Sequence, residues 1–200
     1  MKPYEIIMSP FEVYLAPVGE PFSDVDDTPA GNWVKLGTNG KQNYSEDGVT
    51  VTHEQTLSQK RTLGTTGPIK VKRTEENLTI AFVLEDLSME AYGKVLNNVT
   101  PTDTPAASGV PGTRDINLRQ GGDVSLFALL CKGLVSPYGD SWATQYEVPR
   151  VYQSENPAPV FNKGDAAGLA CQFTALEDPD AATEAERFGK LVAQDADALA

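Results

Sequence analysis

"NLTIAFVLEDLSMEAYGKVLN", residues 77–97, is the stretch on which the fold turns. Leu78, Ile80, Phe82 and Leu84 alternate with Thr79, Ala81 and Val83, the period-2 pattern of a strand with one fully apolar face. Beyond Leu84 the period lengthens, and Met89, Tyr92 and Leu96 recur at helical spacing. Ser88 is placed to cap a helix spanning about 88–97. Glu90 falls in its first turn, where the helix dipole favours an acid, and Leu87 and Tyr92 occupy the positions of a hydrophobic staple. Gly93 should cost this helix about 1 kcal/mol relative to alanine. Asn97-Asn98 can end it in the left-handed conformation. Ala81 and Val83 make the second face of the strand partly apolar, which suits a strand covered on both sides.

Outward from this unit the chain reads as short strands. "FEVYLAPVG" (11–19), "WVKLG" (33–37) and "VTVTHEQTL" (49–57) are separated by polar, turn-rich segments. Residues 58–77, "SQKRTLGTTGPIKVKRTEEN", carry five of the 16 Lys and Arg, and their glycines and proline predict a long exposed loop at about 56–68 before "IKVKRT" returns as a strand. The Pro/Ser/Thr-rich run 99–113 is expected to be a surface loop. Residues 114–133 read as a hairpin turning at Gly121-Gly122. Residues 141–153 read as a strand that Pro149 makes an edge or a bulge, and 168–178 as the last strand. Residues 181–200 are rich in helix formers and are expected to order against a partner. The sum is mainly β: a two-sheet β-sandwich or barrel with one short flanking helix, in a single domain 1–200 with an N-terminal arm and a C-terminal segment at about 180–200.

The chemistry-bearing residues are sparse. The one histidine, His53, lies inside a strand pattern, and with two distant cysteines it makes no ordinary zinc set. No phosphate-binding glycine loop is present. "GDSWA" (139–143) departs from the nucleophile-elbow pattern at Ala143. The acid runs "DVDD" (24–27) and "EDPD" (177–180) lack the calcium-loop pattern and read as solvated loops. Cys131 and Cys171 sit in apolar runs and read as buried thiols. No catalytic, cofactor-binding or metal residue is assigned. The N-terminal 19 residues lack a signal-peptide pattern and no run is long enough to span a bilayer, so synthesis and folding in a cytoplasm are expected. The formal charge of −12 disfavours nucleic-acid binding and suits a surface that repels nucleic acid.

The order of "WVKLG", "GVTVTHEQ", the loop "LGTTGPIK", "TEENLTIAFVLEDLSMEAYGKVL" and the late "CQFTALEDPD" resembles the major tail tube proteins of long-tailed, non-contractile bacteriophages and related particles. The resemblance covers residues 31–97 most fully. It implies a tail-tube β-sandwich and homohexameric rings stacked into a virion tail tube, through which DNA passes without specific binding. It also implies a tape measure protein in the lumen, tail-tip or initiator and tail terminator partners, no cofactor, no membrane and assembly in the bacterial host cytoplasm. On this reading Gln59, Lys60, Arg61, Thr62, Leu63 and Gly64 belong to an inter-ring assembly loop, mobile in the free subunit, with Lys60 and Arg61 meeting acids on the next ring. Glu54, Asp115, Asp123 and Glu147 are candidate acids of the lumen. The alternatives are a tube subunit of a contractile tail or secretion system, a β-sandwich carbohydrate-binding or adhesion module, and an enzyme with an unrecognised carboxylate site.

Overall fold

The computed structural model describes residues 10–37, 44–133, 143–161, 163–164 and 167–195. In chain order its elements are β1 (Phe11–Pro17), β2 (Val34–Lys35), β3 (Thr50–Lys60), β4 (Lys70–Leu84), α1 (Met89–Val95), β5 (Thr102–Thr104), β6 (Thr113–Asp115), β7 (Phe127–Gly133), β8 (Thr144–Gln153), β9 (Leu169–Ala175) and β10 (Lys190–Ala193). The protein is mainly β. Eight strands form one antiparallel sheet in the order β2-β1-β7-β8-β9-β4-β3, with β10 beside β8, while β5 and β6 make a separate two-stranded sheet. The two packed sheets expected from the strand count are thus one large sheet and a small ribbon.

The alternation that opened the sequence reading is realised in β4. Leu78, Ile80, Phe82 and Leu84 are buried, and the residues between them are half-buried. Each such side chain contributes roughly 1.5–3 kcal/mol on leaving water. Its neighbours in the core come from both flanks of the sheet: Val13 and Leu15 of β1, Leu129 and Cys131 of β7, Val148 of β8, and Cys171 and Phe173 of β9. The sheet is therefore bent around this core. Tyr44 ties the two flanks together. Its backbone bridges Leu84, its ring lies edge-on to Phe82 at 5.6 Å, its hydroxyl accepts from the Val13 N–H at 2.9 Å and donates to the Leu36 carbonyl at 2.8 Å.

The helix follows as its sequence dictates. Ser88 caps it by accepting from the Ala91 N–H, and Asn97 and Asn98 both take positive φ angles, 86° and 62°. Ala91 and Val95 face the core, with Leu87 and Tyr92 packed partly buried against it. Gly93 is a correction to propensity reasoning. A Cβ there would lie 2.1 Å from the Val99 carbonyl oxygen, so glycine is required where the chain folds back over the helix. The Asn97 side chain then anchors the next loop: its amide nitrogen donates to the carbonyls of Gln120 and Asp123, and its oxygen accepts from the Ser125 N–H.

At three other places the structure decides between or departs from the sequence expectations. Residues 114–133 are not a hairpin, because β6 pairs with β5 while β7 pairs with β1 and β8. Pro149 sits in a central strand, at the bulge. Leu129 opposes Val148 and Phe127 opposes Val151, leaving an extra residue on β8, so the missing N–H disrupts no regular pairing. At that bulge β8 changes partner, from β10 (144–147) to β9 (151–153). The described part of 181–200, expected to order against a partner, is a single 3₁₀ turn (Glu184–Glu186) followed by β10, which pairs with β8 of the same chain. The free edge of β8 outweighs helix propensity there, since unpaired strand groups are satisfied by one more strand. The chain reaches that edge through Gly189 (φ 103°), whose Cα lies too close to the Glu147 carbonyl for any side chain. The expected N-terminal arm, the GDSWA turn apart from Ala143, and the last five residues lie outside the described residues.

Two substitutions test this architecture. Tyr44→Phe strands the Val13 N–H and the Leu36 carbonyl and should cost about 1–3 kcal/mol in urea unfolding. Gly93→Ala should destabilise by about 1–3 kcal/mol, against the gain that helix propensity alone predicts, because overpacking prevails.

Candidate functional site: a basic arm and the cleft at its root

β3 and β4 continue past the core as a two-stranded arm. They pair from Thr50↔Ala81 out to Lys60↔Lys70, with one irregularity at Thr56/Leu57. Every residue from His53 to Asn77 is exposed. The loop expected at 56–68 is therefore strand as far as Lys60, and the turn occupies 61–69. Gly64, Gly67 and Pro68 lie in that turn, which is why their turn chemistry masked the strands on either side. The signal that could have exposed the hairpin is the alternation Ile69, Val71 against Lys70, Lys72 on the returning strand.

The register assigns the arm two unlike faces, because residues directly opposite each other point to the same side. Leu57/Arg73 and Gln59/Val71 share one face, and Ser58/Lys72 and Lys60/Lys70 share the other. Leu57, Leu63, Ile69 and Val71 are all large, apolar and exposed. Lys60 lies directly opposite Lys70, a like-charge pairing that is unfavourable without a counter-charge. Among the described residues no carboxylate meets Lys60, Lys70 or Lys72.

Polar bonds described for the arm close within it. Arg61 donates to the Thr66 carbonyl at 2.9 Å and to Gln59 Oε1 at 3.2 Å, Thr62 and Thr65 share a hydroxyl contact at 3.0 Å, and Arg73 bonds Gln55 and Glu76 at 3.0 Å. Residues 57–73 carry five Lys and Arg and no acid, which leaves 11 basic against 28 acidic residues, a formal −17, on the rest of the chain. The tip is thus electrostatically opposite to the body that bears it.

At the arm's root is a cleft of about 460 Å³, lined by His53 and Glu76–Leu78, by Tyr146 and Val148 of β8, by Glu177 and by residues 184–185 and 187–191. It exists because β10 docks on β8 and brings the 184–191 segment over the core. Arg187 reaches Glu177 at 3.4 Å and Lys190 reaches Glu147 at 3.2 Å. No periodicity signals this cleft in the sequence. His53 stands in β3 opposite Leu78, as the strand pattern implied.

The four candidate lumen acids fall on four separate elements. Glu54 is on the arm, Asp115 ends β6, and Asp123 lies in the loop held by Asn97, all exposed. Glu147 is only 6% exposed and is held by Gln145 and Lys190, so as an open acid it is withdrawn. It belongs to a covered polar network. The Lys132 ammonium, 1% exposed, donates to the Asp24 and Asp27 carbonyls, and Gln145 donates to the Ser23 carbonyl at 2.8 Å and to Glu147 at 2.7 Å. The DVDD run is therefore a lid over a buried cation. Burial pushes the Lys132 pKa down, and the charges of Asp27, Asp26, Asp24 and Glu147 oppose that shift. Among the described residues no group of three or more His, Cys, Asp or Glu is placed to hold a metal ion.

Cys131 and Cys171 are buried and unpaired with each other. Burial pushes the Cys171 thiol up to about 12, helped by the charge of Glu155, and pushes Cys131 up as well. Both therefore lose protons in the unfolded chain first, near their ordinary value of 9.0, so their contribution to stability is full below that pH and falls as pH rises toward the folded values. A thiol reagent at pH 8 should label neither cysteine until the protein unfolds. Replacing both with alanine should reduce the slope of stability against pH above about 9.

A search of protein-family models finds no match to this chain, and a comparison with characterised proteins finds none.

Proposed function

We propose that this chain is a structural subunit that polymerises with copies of itself, in the manner of the phage tail tube proteins its sequence resembles: six-membered rings stacked into a tube that conducts DNA. The observation that carries this reading is the arm. A two-stranded ribbon is marginal in water on its own. This one projects with every side chain exposed, one edge free along β3 and the other free along β4 beyond its pairing with β9 at Thr79. Free edges of this length are ordinarily covered, and a neighbouring copy of the same subunit would cover them. Repeated head-to-tail contacts between identical subunits give rings or filaments.

The charge fits a conduit. Six copies carry six times −12, or −72, and an acidic wall repels a passing polyphosphate where a basic wall would hold it through counterion release. Glu54, Asp115 and Asp123 remain available to such a wall, with the basic arm placed between subunits. The tape measure, tail-tip and terminator proteins would be its further partners in the virion.

Electron microscopy of the concentrated protein, with and without an assembly initiator, tests this. Rings or tubes are expected. Isolated particles under every condition would refute the reading, and a tube lined mainly by Lys and Arg would refute the conduit mechanism while leaving assembly intact.

A further inference from the structure

The polar network beneath the loop 20–33 holds an amine, a carboxamide and a carboxylate together, away from water. Lys132 of β7 and Gln145 of β8 are direct partners across the two strands, and each is 1% exposed. Glu147, the next residue on the same face of β8, is buried as well. The assembly proposed above uses none of the three.

Their contacts have an order. Gln145 Nε2 donates to the Ser23 carbonyl at 2.8 Å and to Glu147 Oε1 at 2.7 Å. These two acceptors fix which way round the carboxamide lies. Its Oε1 is therefore turned toward Lys132 Nζ, at 3.4 Å. Lys190 holds the other Glu147 oxygen at 3.2 Å, which keeps Oε1 aimed at the amide nitrogen. Lys132 Nζ is steadied by the Asp24 and Asp27 carbonyls. Those two are backbone groups, so of the three oxygens around Nζ only that of Gln145 belongs to a side-chain acyl carbon.

We propose that Lys132 and Gln145 join in an intramolecular isopeptide bond, with Glu147 relaying protons between the two nitrogens. Nζ attacks Gln145 Cδ, the Nζ–Cδ bond forms and the Cδ–Nε2 bond breaks. Two protons pass from the Lys132 ammonium to the departing nitrogen, which leaves as an ammonium ion. Glu147 ends as the carboxylate it began as, and nothing is oxidised or reduced. Two paired strands hold the reacting groups near contact, which replaces a bimolecular encounter by a local step. Burial favours the neutral, nucleophilic amine, against the charges of Asp27, Asp26, Asp24 and Glu147. The reaction also removes a cation from a site that water does not reach. Its product closes residues 132–145 into a ring that persists in the unfolded chain, the constraint a disulfide would impose, in a protein whose two described thiols are unpaired.

The test is mass spectrometry of the full-length protein, held folded for several days and then denatured. A mass lower by one ammonia, about 17 Da, is expected. Trypsin should then leave residues 120–150 as one fragment, because acylated Lys132 is no longer cut, and fragment ions should place the loss between Lys132 and Gln145. Lys132→Met should abolish the loss. Glu147→Gln, shown to be folded by circular dichroism, should slow it by about a hundredfold. An unchanged wild-type mass, or an ammonia loss that the fragment ions place elsewhere, overturns the bond. A bond that forms as fast in folded Glu147→Gln overturns the relay. Should either variant fail to fold, the wild-type fragment alone decides whether the bond exists. Neither result bears on self-assembly, which the arm and not this network carries.

Discussion

One continuous strand governs the structure. Over Leu78–Leu84, β4 supplies a row of the core, paired with β3 as far as Ala81 and with β9 from Thr79 on; over Lys70–Asn77 the same backbone stands in water with only β3 beside it. The buried half fixes the direction in which the exposed half leaves the body. The arm is therefore a projection of the sheet, and whatever contacts it makes inherit their orientation from the packing of Ile80 and Phe82.

The rest of the sheet is arranged so that this row is enclosed. Tyr44 spans from Leu84 to Val13 with one backbone bridge and one hydroxyl, closing the gap between the β4 and β1 flanks. α1 covers the core, and the loop 20–33 covers the opposite face of β1 and β7. That loop is fastened by the Trp33 indole N–H to the Pro21 carbonyl at 2.8 Å, by packing of Phe22 on Trp33, and by Lys132 beneath it. Its carbonyls, not its carboxylates, receive the buried ammonium. The acids of the DVDD run are left to offset the desolvation of that charge at longer range.

The polarity of the molecule follows from the same division. The body carries a large negative charge and buries the Lys132 ammonium against carbonyls, whereas the arm concentrates five cations without an acid and exposes Leu57 and Val71 on one face. Like charges packed on a ribbon oppose folding, and exposed apolar groups gain nothing from water. Both are consistent with a surface completed by a partner, which links the shape of the arm to the assembly proposed for it.

The sequence by itself determined what depends on neighbours a few residues away. The alternation of Leu78–Leu84, the Ser88 cap, the left-handed Asn97-Asn98 ending, the bulge at Pro149 and the burial of both cysteines are all legible in local pattern. The tertiary structure alone decided which strands pair. β10 forms because β9 leaves half of β8 uncovered. The Gly121-Gly122 turn joins no hairpin because β7 has better partners in β1 and β8. Gly93 is needed because Val99 crosses above it. The site divides in the same way. The basic composition of the arm was readable, but its two faces required the register between β3 and β4, and the cleft at its root required residues 53, 77, 146 and 188 to meet through contacts distant in sequence. Local preferences act over a turn or a strand, whereas pairing and enclosure are settled by which distant segments together leave the least unpaired backbone and the least apolar surface in water.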